Sequence, residues 1–165
     1  MLYLLDANVL IDANRDYYPM SRVPEFWGWL LHHAQNGTVK LPQEIFSEPK
    51  SGSDQLAKWL KRGNDGTALI LKEEVAVDLV RQVIEEGYSP DLTDEEVVKI
   101  GNDPFLIAYA MADPSSRCVV TTEASKPSTQ RANRRVPDVC DQFGVKSINT
   151  FRFIRELDFT TNWKP

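Results

Sequence analysis

The chain has 165 residues, 42% of them hydrophobic, 26% charged and 10% aromatic, the balance of one soluble globular domain with a full core, which excludes collagen, coiled-coil and disordered classes. A net charge of −5 excludes a uniformly basic nucleic-acid coat but leaves room for a local basic patch. The two cysteines, Cys118 and Cys140, lie among apolar residues; this fits buried reduced thiols, and their number excludes a paired-cysteine zinc site.

Leu2 to Leu5 is an unbroken apolar run that stops at Asp6, as expected of a strand buried on both faces. Asn8 to Ala13 reads as a short helix, and residues 15–24 as an aromatic, proline-punctuated loop. Pro24 opens a helix through Phe26, Trp27, Leu30, Leu31 and Ala34, which Gly37 ends. Residues 38–41 suit an edge strand. Pro42 restarts a helix through Glu44, Ile45 and Glu48, and a further helix is expected over 53–60. The run 69–71 is too short to assign.

Residues 73–87 form an amphipathic pattern, and Thr93 with Glu96 gives a capping box. Asp103 is expected to cap a helix with Pro104 at its first position. Phe105 to Ala112 is apolar all round, so that helix should be buried. Cys118 to Thr121 is a second continuous apolar strand, followed by a polar, basic loop over 124–136. Pro137 starts a helix that Gly144 closes, and a strand over 145–148 precedes a last helix around Phe151, Ile154 and Leu157.

The first residues lack the basic start and cleavage pattern of a secretory signal. No apolar run approaches the ~18 residues a spanning helix needs. A cytoplasmic protein without membrane contact is therefore expected. Strands alternating with helices predict an α/β fold with a largely parallel sheet, the strands at 2–5 and 118–121 central and the other two at the edges.

Ligands of open α/β sheets bind beyond the carboxyl ends of the strands. Asp6 and Glu123 follow the two central strands, and Asp103 opens the helix that leads into the second, so the three should face one cleft. Glu48 lies within reach of the same edge. Carboxylates gathered in this way repel one another, and Mg²⁺ or Mn²⁺, which prefer hard oxygen ligands, would remove that cost. Each residue also has a plainer role: Asp103 as a helix cap, Asp6 as a turn residue, Glu48 as a solvated helix charge.

These residues carry a resemblance. Leu-Leu-Asp6-Ala-Asn8-Val-Leu-Ile resembles the opening motif of PIN-domain ribonucleases, and Leu41-Pro42 with Glu48 resembles their second acidic motif. Asn102-Asp103-Pro-Phe-Leu-Ile-Ala-Tyr-Ala is similar to the third, and Val-Val-Thr121-Thr122-Glu123 stands in the place of the fourth. The match looks closest to a bacterial PIN-like family long listed as a domain of unknown function and related to VapC-type toxins.

The resemblance implies a three-layer fold with four or five strands, in one domain over 1–165 with a helical elaboration at 50–100. It also implies an endoribonuclease that uses Mg²⁺ or Mn²⁺, the toxin of a type II toxin–antitoxin pair, with an antitoxin and possible homodimer as partners. Asp6, Glu48, Asp103 and Glu123 would hold the metal and carry catalysis. Glu44 competes with Glu48 for the second acid. Glu123 replaces the usual Asn or Asp of the fourth motif, Ser125 stands where a second aspartate often occurs, and Asp138 is the alternative fourth acid. Asn8 and Thr121 are supporting residues.

The loop residues Lys126, Arg131, Arg134 and Arg135 are the expected RNA contacts, since arginine donates two hydrogen bonds at once to phosphate. Tyr17, Tyr18, Trp27 and Trp29 stack bases or close a core edge or a dimer interface. A haloacid-dehalogenase phosphatase would need a second aspartate at position 8, which is Asn. The rival from another class is a degenerate PIN-like module that binds RNA or protein without cutting.

Overall fold

The computed structural model describes residues 1–50 and 55–164, the side chains of 48–50 and 63–65 excepted. Four strands, β1 (Leu2–Leu5), β2 (Val39–Lys40), β3 (Arg117–Thr121) and β4 (Lys146–Asn149), pair in the order β2-β1-β3-β4. All pairings are parallel. β1 and β3 are central, as expected. Leu4, Leu5, Cys118, Val119 and Val120 are fully buried, because helices cover both faces of the sheet.

The helices among the described residues are α1 (Ala7–Asp12), α2 (Pro24–Gln35), α3 (Gln43–Lys50), α4 (Gln55–Leu60), α5 (Gly63–Leu69), α6 (Val77–Gln82), α7 (Asp94–Ile100), α8 (Asp103–Met111), α9 (Val136–Gln142) and α10 (Thr150–Glu156). α2 and α10 cover one face, where Phe153 meets Tyr3 and Trp29 edge-on at 5.4 Å. α8 and α9 cover the other and pack on each other. Right-handed crossovers require this division, because the chain leaves β1 in one direction and β3 in the other. The crevice between β1 and β3 is therefore the topological switch point of the sheet. Their register, Leu2 opposite Arg117 through Leu5 opposite Val120, makes the two strands end side by side.

Several elements differ from the sequence expectation. The helix expected over 73–87 is shorter: α6 gives way to a π-helical segment, Val83–Tyr88. A second π-helical segment, Ala13–Tyr17, extends α1 into the region read as loop. α5 was not anticipated because its glycines oppose helix formation. A Cβ at Gly66 would stand 1.8 Å from the Leu60 carbonyl oxygen, so close approach of the chain requires glycine there. The unassigned run 69–71 adds a parallel bridge, Leu41 to Ile70, beside β2. The cap of α8 is Asn102, and Asp103 is its first helical residue, so the helix starts one position earlier than expected. The capping box of Thr93 and Glu96 forms as expected.

Most of the aromatic stretch is core. Trp29 and Phe26 are fully buried, and Tyr18 stacks on Phe26 at 4.6 Å. The indole N–H groups of Trp27 and Trp29 donate to the carbonyls of Tyr18 and Leu157, which satisfies their polar ends. No helix among the described residues is long and apolar enough to cross a membrane.

Candidate functional site

Asp6 follows β1 directly and caps α1. Its side chain accepts from the Asn8 main-chain N–H at 3.2 Å, and its own N–H donates to the Val120 carbonyl at 2.9 Å. It is 4% exposed. The Asn8 contact expected from the sequence thus exists through the backbone, while the Asn8 side chain is exposed. Thr121 ends β3, and its buried hydroxyl donates to Asp6 Oδ2 at 2.8 Å. Thr121 Oγ1 in turn accepts from the Glu123 main-chain N–H at 3.2 Å. Thr121 therefore ties the Asp6 carboxylate to the main chain at Glu123.

Glu123 faces the start of α9. Its Oε1 accepts from Arg135 at 3.0 Å and its Oε2 from the Val136 N–H at 2.8 Å. Asp103 and Glu123 line one cleft of about 610 Å³, with Tyr88, Lys126, Arg131 and Arg135 also in its wall. Asp6 does not reach that wall. Among the described residues no group of three or more His, Cys, Asp and Glu side chains forms a metal-binding cluster.

Of the remaining acids, Glu48 lies in α3 with its side chain outside the described residues. Glu44, its rival, stands beside Tyr109; burial first, and then the Glu44 charge, push that phenol above its ordinary range. Glu44 Oε2 is buried without a hydrogen-bond partner among the described residues. Asp138 accepts from the Ser125 hydroxyl and from the Lys126 N–H. It ties the loop after Glu123 to α9 and is not among the residues lining the cleft.

The basic loop is stapled rather than free. Arg131, at φ +53°, donates to Glu96 at 2.7 and 2.8 Å, to Asp91 at 2.7 Å and to Ser89 at 3.0 Å. Arg134 donates to the Gly87 carbonyl and to Gln142. Arg135 pairs with Glu123, while Lys126 is exposed. These contacts hold Asp91 below the usual carboxylate range, first through the Ser89 hydroxyl and then through Arg131, and pull Glu96 down to about 2, chiefly through Arg131.

The sequence reading missed Tyr88, Lys99 and Phe151. Lys99 and Tyr88 line the main cleft. Burial, followed by the nearby Asp103, Cys140 and Glu123, raises the Tyr88 phenol well above its ordinary value. Phe151, 49% exposed, meets the equally exposed Tyr17 edge-on at 5.4 Å. This pair lines a second groove of about 280 Å³ that Glu123 shares with the first. Phe151 carried no sequence signal beyond that of an apolar helix residue, and Tyr88 sat at a presumed helix end.

No curated protein and no solved structure matches the chain. A family model described as a domain of unknown function, DUF4411, matches residues 3–161, nearly the whole length, and the chain belongs to that family.

Proposed function

We propose that this protein is a metal-dependent endoribonuclease of PIN type that hydrolyses RNA phosphodiester bonds, the cytoplasmic toxin of a type II toxin–antitoxin pair. The observation that carries the reading is the Asp6–Thr121–Glu123 linkage at the switch point of a parallel sheet, beside a cleft that Asp103 enters. Ligands of such folds bind there.

Asp6 and Asp103, with Glu48 from α3 and with Glu123, are the residues that would hold Mg²⁺ or Mn²⁺. By its chemistry the donor set suits these cations, since it is entirely carboxylate oxygen, although among the described residues no three of the acids converge into one cluster. A metal held there would supply an activated water and would screen charge on phosphorus. The chain's own residues do the rest. Thr121 and the Asn8 N–H hold Asp6 in one orientation. Lys126 and Arg135 supply positive charge at the mouth of the cleft, and the Tyr17–Phe151 pair offers a stacking face for a base next to Glu123.

A second reading, a module that binds RNA or protein without cutting, is favoured by one contact set: both Glu123 oxygens are already occupied, by Arg135 and by the Val136 N–H. The exposed Val77, Val97 and Val98 on α6 and α7 are candidate contacts for an antitoxin or a second copy of the chain. Incubating single-stranded RNA with the wild type and with Asp6→Asn, in Mg²⁺ and in Mn²⁺, tests the main reading. Cleavage by the wild type alone supports it. RNA bound but intact under both metals favours the second reading and overturns the first.

A further inference from the structure

Tyr88 ends the π-helical segment that follows α6, and it is 6% exposed. Its hydroxyl has no hydrogen-bond partner among the described residues. Buried polar groups are normally paired, and an orphaned hydroxyl needs a reason. The residues on either side of Tyr88 are firmly held. Arg134 donates to the Gly87 carbonyl, and Arg131 donates to the Ser89 hydroxyl at 3.0 Å. At Gly87 a Cβ would meet Val139 Cγ1 at 2.7 Å, so the backbone there presses directly on α9. Two arginines and a glycine thus fix the segment, yet the phenol between them is left without a partner.

Tyr88 is one of the residues lining the cleft that holds Asp103 and Glu123, with Lys99, Lys126 and Arg135 in the same wall. Beside those two acids the phenol keeps its proton, so it offers a donor and not a negative charge. A donor flanked by cations suits an anion with exposed acceptor oxygens. We infer that the Tyr88 hydroxyl is a positioning group of this cleft, donating a hydrogen bond to a non-bridging oxygen of a phosphodiester in single-stranded RNA. The identity of that ligand rests on the ribonuclease reading above; the unpaired donor does not.

Tyr88→Phe tests the inference, because it keeps the ring and removes only the hydroxyl. Binding of a fluorescently labelled single-stranded RNA is read by anisotropy at low salt in EDTA, so that nothing is cut, and thermal unfolding is measured beside it. Tyr88→Phe is expected to melt at or slightly above the wild-type temperature, since no hydrogen bond is lost. Its Kd for RNA should rise about tenfold, the worth of one charge-assisted hydrogen bond. Equal RNA affinity in the two proteins overturns the Tyr88 inference and leaves the ribonuclease reading standing. A Tm several degrees below wild type overturns it as well, because the hydroxyl would then have a structural partner. A wild type that binds no RNA in EDTA overturns the ligand assigned to Tyr88, while the ribonuclease reading is judged separately by the cleavage test in Mg²⁺ and Mn²⁺. Inorganic phosphate is the second probe: weak competition is expected, and competition as strong as that of unlabelled RNA assigns the donor to a free anion rather than a strand.

Discussion

Thr121 donates its hydroxyl hydrogen to Asp6 at 2.8 Å across 115 residues of sequence, which fastens the carboxyl end of one central strand to that of the other. Both groups are buried, Thr121 at 1% and Asp6 at 4% exposure. Loss of either partner removes this hydrogen bond from a site with little access to water.

Thr121→Val should therefore cost about 1.5–3 kcal/mol, the worth of a hydrogen bond to a charged group. Thr121→Ser keeps the hydroxyl and should recover most of that loss. Urea unfolding of the three proteins measures it. A Val variant as stable as the wild type would show that the link contributes nothing.

Asp6 separates charge from geometry. Asp6→Ala removes the cap of α1 and orphans the Thr121 hydroxyl, an expected loss of about 2–4 kcal/mol. Asp6→Asn retains an oxygen for the Asn8 N–H and an amide group that can face Thr121, so its loss should stay under about 1 kcal/mol. Both should lack nuclease activity. Equal destabilisation by Ala and Asn would mean that the negative charge itself holds the strand ends together.

Added metal supplies an independent test. Binding to the native state alone stabilises it by about 2.7 kcal/mol at a hundredfold excess over Kd. Mn²⁺ should raise Tm in the wild type, EDTA should reverse the rise, and Asp103→Asn should abolish it. A full Tm shift in Asp103→Asn together with Asp6→Asn would place the metal elsewhere.

The strands and the strand order at the centre of the sheet were legible because β1 and β3 are continuous apolar runs, which only a sheet covered on both faces accommodates. Asp6 and Glu123 were legible for the same reason, since each ends such a run. The linkage through Thr121 was not, because a strand-end threonine looks alike whether it bonds water or a residue 115 positions away. α5 hid behind its glycines, and the π-helical segment ending at Tyr88 hid within an amphipathic pattern that does not reveal where the helix widens. The loop's basic composition is legible in the sequence, and its anchoring is not. Ion pairs between Arg131 and the acids Asp91 and Glu96 depend on a fold that brings the loop against α7.

That clamp predicts an acid-sensitive loop. Arg131, with the Thr93 N–H, draws Glu96 from an ordinary 4.5 down to about 2 in the folded protein. A folded-state value below the unfolded one stabilises the protein above about pH 4.5, and this contribution is lost as pH falls through about 2. Wild-type Tm should fall across that window, and Glu96→Gln should flatten the fall while lowering Tm at neutral pH. Hydrogen exchange at residues 126–135 should rise in the variant at pH 7. An identical acid profile in both proteins would show that Glu96 is not the group being titrated.

Under the ribonuclease reading, the anchoring also decides which cations are available to RNA. Arg134 is committed to the Gly87 carbonyl and to Gln142, and Arg131 to Asp91, Glu96 and Ser89. Lys126 is exposed, and Arg135, whose side chain is 46% exposed, shares its charge with Glu123 at the cleft. Each phosphate contact to a single strand contributes roughly −0.7 to the slope of log K against log salt. Lys126→Ala should flatten that slope by about 0.7 and leave Tm unchanged. Arg134→Ala should do the reverse, losing about 1–3 kcal/mol of stability because the carbonyl of buried Gly87 loses its donor, with little change in the salt slope. Anisotropy titrations between low and physiological salt, beside thermal melts, separate the two effects. A flattened slope in Arg134→Ala at unchanged Tm would make Arg134 an RNA contact and its bond to Gly87 incidental.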